Sequence, residues 1–382
     1  MDSAASSPTG LNAEFEDRER HDLIEILART MSDAGLPFTQ VTWATFWLAD
    51  LQSLRDIVST PPSIMRNICT SAGTVYDQIV KPWNTRVRSK ATVPSTPASA
   101  TTTPLVAQPM PEPSPEAQPS TPKRRRIMPE TSPSTSSPLR LNTTVAMAYS
   151  SPAPKSPRSR EAKDQSKARD NGRCIVTKAG HVVEVAHIYP YSLQGQQVRS
   201  AHFWVLLSTF WASERIKRWE KDILGPQGTE SPVNLVTLAP HTHAYWGNAL
   251  FALKPVEKSD DGTKMEVQFF WLRPVSSAGP DILLAPPSIP EDLDSSVENV
   301  KLLDCQVDKK LCSGDWIVLT TDDPVNRPLP SFNLLEMQWV LHRLTALCGG
   351  GDIPSPPSSD DEDGEAEEEV WLEYCDADSE CS

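Results

Sequence analysis

The sequence predicts an α+β fold for the central half of the chain, and three observations support this prediction. Residues 166–350 alternate short strand-like runs with longer amphipathic runs of helical spacing. The same stretch holds most of the aromatic and aliphatic side chains that follow residue 83. The chain has 382 residues, enough to bury a substantial core and still carry tails.

Residues 1–83 are predicted to form an N-terminal helical region. Apolar residues recur at helical spacing in the first stripe, and Pro37 ends it. Thr39 or Thr42 is placed to cap a second helix, which runs to Pro61. The apolar positions of these two stripes are Leu23, Ile24, Ile26, Leu27, Met31, Trp43, Phe46, Trp47, Leu51, Leu54 and Ile57. Two interpretations stay open: core packing, or a groove for a protein partner.

Residues 84–165 are predicted to be a disordered, basic linker. Fifteen of the 36 prolines fall between positions 91 and 160, and aliphatic residues there are too few to offset the entropy of ordering. The stretch 84–173 contains 15 Lys and Arg against six Asp and Glu, a net charge of +9. Four consecutive basic residues resemble a nuclear localisation signal, although they could be a merely solvated run. They are Lys123, Arg124, Arg125 and Arg126.

Residues 351–382 are predicted to form a disordered acidic tail. Residues 360–380 contain 12 acidic and no basic side chains, and the rest of the chain then has a net charge of only −2 out of −14. Trp371, Leu372 and Tyr374 interrupt the acids. Such a tail could bind a basic protein partner or the linker of the same chain.

The central region 166–350 is predicted to contain a hairpin, two long helices and three further strands. The hairpin joins 174–177 to 182–188 through a turn at 178–180. The helices cover 203–223 and 333–347, and the strands cover 234–238, 251–254 and 265–272.

Composition also indicates where the protein works. The seven cysteines are scattered without a Cys-x-x-Cys pair, which favours a reducing compartment. The first 14 residues are polar, so no secretory signal is expected, and no apolar run approaches the ~20 residues that span a bilayer. We therefore expect a soluble intracellular protein in the nucleus or cytoplasm, with no membrane partner.

Three polar residues carry the predicted chemistry. His187 ends a strand-like run, Asn234 begins another, and His243 follows Asn234 by nine residues. A neutral imidazole with a pKa near ~6.5 is a suitable general base at neutral pH. Asn234 cannot act as a base, but its amide could tie the adjoining loop or orient His187. His243, at the start of a helical element, is the candidate metal ligand.

Several stretches around these residues resemble one nuclease family. Residues 170–177 and 186–190 look like the opening of the HNH nuclease domains found in many fungal proteins. Residues 234–238, His243 and 251–255 resemble their second half. Residues 321–324, 328–332 and 334–339 look like the C-terminal extension of those proteins. The resemblance covers about half the chain, residues 166–350.

This resemblance implies a ββα-metal (HNH) core with a helical insertion and extra strands. It also implies endonuclease activity: hydrolysis of DNA phosphodiester bonds with a divalent metal, Mg²⁺ or else Mn²⁺ or Zn²⁺. The chain departs from the family pattern at Ala186 and Gly247, where HNH sites often place further metal ligands. Glu184, His241 and Asn248 are the candidates to replace them.

Arg169, Arg173 and Lys178 are predicted to contact phosphates, because they flank the hairpin that would present His187. Two alternatives to an active endonuclease stay open. The HNH fold could be catalytically inactive and serve as a nucleic-acid or protein interaction module. The helices of 1–83 and the acidic tail could instead make the chain a scaffold.

Overall fold

The predicted α+β class is confirmed by the computed structural model, in which helices surround small antiparallel sheets. The structure describes residues 12–84, 159–193, 197–223, 228–275, 285–297 and 299–349. The helices are α1 (Arg18–Asp33), α2 (Gln40–Leu48), α3 (Leu51–Ser59), α4 (Pro62–Ala72), α5 (Lys81–Asn84), α6 (Arg160–Arg169), α7 (Gln197–Phe210), α8 (Ser213–Ile223), α9 (Pro240–Gly247) and α10 (Phe332–Leu347). The strands are β1 (Glu184–His187), β2 (Leu235–Leu238), β3 (Phe251–Lys258), β4 (Lys264–Trp271), β5 (Leu303–Asp304), β6 (Lys309–Lys310) and β7 (Trp316–Thr320).

The N-terminal helices begin where their capping residues predict. The Thr39 hydroxyl accepts a hydrogen bond from the backbone N–H of Thr42, and Pro62 occupies the first position of α4. The single helix predicted for 40–60 is wrong, because the chain breaks at Asp50 between α2 and α3. The backbone N–H of Asp50 donates to the Phe210 carbonyl, and its carboxylate accepts from Ala212 and Arg215. These distant partners hold Asp50 outside a helix.

The long helix predicted for 203–223 is also two helices, α7 and α8. The separation lies at residues 211–212, where the backbone N–H of Ala212 donates to the carboxylate of Asp50 at 2.8 Å. The same Asp50 side chain therefore ends one predicted helix and divides another. Both breaks depend on a contact between residues 162 positions apart, which periodicity does not show.

The predicted hairpin between 174–177 and 182–188 is wrong. Residues 174–177 form turns, with one isolated bridge between Arg173 and Gly180, and β1 pairs with β2. The Cys174 carbonyl accepts a hydrogen bond from the backbone N–H of Lys178, which closes the turn. All four residues of this segment are buried, and their apolar composition is that of a buried strand. Composition alone therefore does not distinguish this turn from a strand.

Strand β1 pairs antiparallel with β2, and α9 follows β2 directly, which makes a ββα unit. A second sheet has the order β3-β4-β7, and α10 packs on it. Strand β7 and the small β5-β6 pair have no counterpart among the predicted strands. The exposed and buried residues of β7 alternate, as expected for an edge strand with one face on the core.

The helices of 13–83 pack on the central region and share its hydrophobic core. The Gln40 side-chain amide donates to the carbonyls of Val275 and Leu347, at 2.8 and 2.7 Å. The buried guanidinium of Arg343 forms an ion pair with Glu14. Most of the predicted apolar positions of these helices are buried, whereas Ile26 is exposed.

Helix α6 begins at Arg160, inside the segment predicted to be linker up to residue 165. Its Ala162, Ser166 and Arg169 are buried against β2 and the 3-10 turn Pro232–Asn234. Two of the buried residues, Ala162 and Ser166, are small and of low hydropathy. A search for an apolar stripe therefore does not detect this helix. Residues 85–158 of the predicted linker, which include the basic cluster 123–126, and the tail 351–382 lie outside the described residues.

No helix within the described part of the chain is long and apolar enough to cross a membrane.

Candidate functional site

The candidate site is built on β1, the turn before β2, and α9. His187 is the last residue of β1 and pairs in register with Leu235 of β2. Asn234 ends the 3-10 turn immediately before β2, and its carbonyl accepts from Ile188 at 2.8 Å. His243 lies in the first turn of α9, where its N–H donates to the Ala239 carbonyl. The three predicted residues therefore lie on adjoining elements of the ββα unit.

The Asn234 side chain joins two loop segments through hydrogen bonds. Its Oδ1 accepts from the backbone N–H of Tyr189 at 2.7 Å, and its Nδ2 donates to the Tyr189 carbonyl at 3.1 Å. The same Nδ2 also donates to the carbonyl of Thr229 at 3.0 Å. Asn234 is fully buried, so it exchanges water for backbone partners at the segment after His187 and at the segment before β2. Two roles were predicted for Asn234, to hold the adjoining loop or to orient His187. These hydrogen bonds favour the first role.

His187 is paired with a carboxylate that no sequence pattern identifies. Its Nε2 lies 2.7 Å from Oε1 of Glu230, and both side chains are less than a tenth exposed. The ring of Tyr191 lies against the imidazole, with centroids 5.7 Å apart. The other carboxylate oxygen of Glu230 accepts from the backbone N–H of Ser159 at 2.8 Å, where α6 begins.

His243 is paired with the second carboxylate of the site. Its Nδ1 lies 2.6 Å from Oε2 of Glu184, at the other end of β1 from His187. Glu184 and His187 are three residues apart on the strand, a separation of roughly 10 Å between their Cα atoms. The Glu184 side chain is a quarter exposed, so solvent reaches this pair.

The other two candidate metal ligands, His241 and Asn248, lie on α9 and directly after it. His241 is exposed at the second position of α9, and its ring contacts Tyr245. Asn248 ends α9, where its side-chain amide donates to the Ala244 carbonyl. The structure places Glu184, one of the three predicted substitutes, within hydrogen-bond distance of His243. Across the described residues, no group of three or more His, Cys, Asp or Glu is arranged to hold a metal ion.

The donor chemistry of the Glu184–His243 pair still fits a divalent cation. Nδ1 of His243 and Oε2 of Glu184 lie 2.6 Å apart, the distance of a hydrogen bond, so a cation held by both atoms would take the place of the proton between them and release it to solvent. Mg²⁺ keeps several waters and is often held by one or two protein carboxylates together with substrate phosphates. A two-ligand site of this kind is therefore chemically reasonable for a cation whose other ligands come from water and phosphate.

The phosphate contacts predicted from sequence divide into three cases. Arg169 is buried, donates to the carbonyls of Pro232 and Leu235, and pairs with Asp170, so its guanidinium is engaged by partners within the protein. Lys178 donates to the Ile175 carbonyl, and burial lowers the pKa of its ammonium group. Arg173 is exposed, and the structure gives it no ion pair with any described residue.

Glu230 is the functional candidate that the sequence does not reveal. It lies four residues before Asn234, in a stretch of Thr, Glu, Ser and Pro that reads as an ordinary polar loop. The one feature of the sequence that could have indicated Glu230 is its position two residues before the turn Pro232–Asn234. Nothing in a local pattern shows that this carboxylate is buried beside His187.

Comparison with known families identifies the same region. A family model described as an HNH endonuclease matches residues 174–254, which include β1, β2 and α9 and the three residues His187, Asn234 and His243. Comparisons with curated proteins and with solved structures found no match. Residues 174–254 are therefore similar to HNH endonucleases, and the match covers about a fifth of the chain.

Proposed function

We propose that the HNH endonuclease domain at residues 174–254 hydrolyses phosphodiester bonds of DNA with the help of a divalent cation. The observation that carries the proposal is the position of His187 at the end of β1. Its imidazole has a buried carboxylate partner, and the segment that follows it is hydrogen-bonded to Asn234. In this role His187 is the general base that removes a proton from the attacking water. Asn234 is not a base, and it contributes by holding the loop on which the base depends.

Glu184 and His243 are the residues proposed to hold the cation. When bound, the cation would polarise the phosphoryl group and stabilise the leaving oxygen. The roles of the two carboxylates are therefore distinct: Glu184 faces the proposed metal ligand, and Glu230 faces the proposed base. The match to an HNH endonuclease model and the donor types support this division.

The direct test is nicking of supercoiled plasmid DNA by the full-length chain. We expect relaxed and linear products with Mg²⁺ or Mn²⁺, and none when a chelator is present in excess. Absence of cleavage with either metal, on DNA and on single-stranded RNA, would contradict the proposal. Salt-sensitive DNA binding without cleavage would select the inactive interaction module, which Ala186, Gly247 and the small number of ligands favour.

Removal of one proposed metal ligand should weaken metal binding independently of catalysis. We expect Glu184→Gln to lower Mn²⁺ affinity by at least roughly 10- to 100-fold, the loss seen when even an outer partner of a ligand is removed. Isothermal titration calorimetry on the full chain measures it. Glu257→Gln, at an exposed position of β3, is the control and should bind Mn²⁺ normally. Equal affinity of Glu184→Gln and wild type would refute the assignment.

Helix α6 offers a phosphate-binding surface that replaces the buried Arg169. Arg160, Lys163 and Lys167 recur at a spacing of three and four residues, so they share one side of the helix. The structure gives none of the three an ion pair with a described residue. The first turn of α6 reaches the site, since the Ser159 N–H donates to Glu230. Together with exposed Arg173, these cations would neutralise DNA phosphates close to His187.

Loss of two α6 charges should change the salt dependence of DNA binding. For Lys163→Gln/Lys167→Gln we expect the slope of log K against log salt to become shallower by roughly 1.8, about 0.9 for each phosphate that is no longer neutralised. Fluorescence anisotropy at several salt concentrations measures it. The control Arg18→Gln/Arg66→Gln removes two exposed charges from α1 and α4 and should leave the slope unchanged. Equal slopes for both double variants would contradict this surface.

Two further assignments stay proposals. The basic cluster 123–126 is proposed as a nuclear import signal, with the cytoplasm as the alternative location. Protein partners are proposed to bind the N-terminal helices or the acidic tail 351–382.

A further inference from the structure

We propose that Glu230 is a positioning residue, which selects the tautomer of His187 and holds its ring in place. The inference rests on the proposed function and extends it to a residue outside the predicted catalytic set. Its basis is the 2.7 Å contact between Oε1 of Glu230 and Nε2 of His187, in a pair with almost no solvent exposure. Glu230 touches His187 rather than the reacting phosphate, so its effect on cleavage passes through the imidazole.

The chemistry of the pair defines which ring nitrogen can act. An ionised carboxylate only accepts hydrogen bonds, so Nε2 of a neutral His187 must carry the proton that faces Glu230. Proton transfer from water then falls to Nδ1, and the imidazolium that forms is stabilised by the adjacent carboxylate. A ring that could flip or exchange tautomers would spend part of its time with the wrong nitrogen protonated.

The surroundings of Glu230 keep the carboxylate in the same orientation. Its second oxygen, Oε2, accepts from the Ser159 N–H at the start of α6. The neighbouring Thr229 carbonyl accepts from the Asn234 amide, which also binds both backbone groups of Tyr189. A single buried amide therefore fixes the segment that follows His187 and the segment that presents Glu230. This shared anchor explains physically why Asn234 supports catalysis without taking part in proton transfer.

A double-mutant cycle distinguishes positioning through His187 from a merely structural role. We expect Glu230→Gln to lower the single-turnover cleavage rate by roughly 10- to 100-fold, with unchanged Mn²⁺ dependence. Glu230→Asp, which keeps the carboxylate, should retain part of the rate. In the His187→Ala background, Glu230→Gln should cause no further loss, because a residue that acts only through the imidazole has nothing left to orient. Additive losses would overturn the proposal.

A spectroscopic measurement tests the pair even if no substrate is cleaved. In ¹⁵N NMR spectra of the full-length chain, the His187 ring should carry its proton on Nε2, and Glu230→Gln should shift both ring nitrogens. Identical His187 ring signals in wild type and Glu230→Gln would overturn the positioning role, whatever the activity. Altered ring signals in a chain that never cleaves DNA would support the pair and place the failure in the proposed function.

Discussion

Replacement of His187 by alanine is expected to lower plasmid nicking by roughly 10²- to 10⁴-fold, the range that a positioned general base contributes. The imidazole ends β1 and is held by Glu230, and the variant removes this proposed base while it leaves the carboxylate in place. The measurement is the first-order rate of supercoiled plasmid loss at saturating Mn²⁺. Because the variant leaves the Glu184–His243 pair in place, its Mn²⁺ affinity should be that of the wild type.

The matched control for this variant is His241→Ala. His241 lies in the same region that matches the HNH endonuclease model, but it is exposed on α9, and its described contacts are with Thr242 and Tyr245. We expect its cleavage rate to equal the wild-type rate. A His187→Ala variant that nicks as fast as His241→Ala would remove His187 from the mechanism and leave the domain without its proposed base.

Removal of the His187 side chain also leaves Glu230 as a buried carboxylate without its imidazole partner. Such a group costs free energy, so part of any rate loss could arise from unfolding of the loop. The cleavage rate should therefore be compared at temperatures where circular dichroism shows the variant fully folded. His187→Gln, which keeps a hydrogen-bonding side chain for Glu230, provides a second variant that lacks the base.

The residues that sequence alone could identify were those with a local pattern. The Thr39 cap, the presence of α10 and the position of His187 at a strand end all follow from neighbours within a few residues. The resemblance to HNH domains then brought Asn234 and His243 together with His187. Local pattern and family motif were sufficient to find the segments of the ββα unit, but they did not show that β1 pairs with β2.

The features that sequence did not show all depend on contacts between distant segments. Asp50 interrupts two predicted helices through its contacts with Ala212 and Arg215. Glu230 is identified only in the folded chain, where it lies beside His187. The buried residues 174–177 have a strand-like composition, but backbone hydrogen bonds close them into turns. Local hydropathy indicates the burial of residues 174–177, but it shows neither their turn nor the distant partners of Asp50 and Glu230.

Arg169→Ala is expected to destabilise the protein by roughly 3–5 kcal/mol, because it removes one partner of a buried ion pair. The guanidinium donates to the carbonyls of Pro232, Leu235 and Pro328 and pairs with Asp170, so it joins the end of α6 to the turn that positions Asn234. Urea unfolding measures the loss. Arg173→Ala, at the exposed neighbouring site, should change stability by less than roughly 0.5 kcal/mol. If Arg169→Ala weakened DNA binding with unchanged stability, the phosphate-contact prediction would be right and the buried role wrong. Loss of stability with unchanged DNA affinity of the folded variant would show that Arg169 supports the turn that positions Asn234. The phosphate contacts would then be left to the α6 lysines and Arg173.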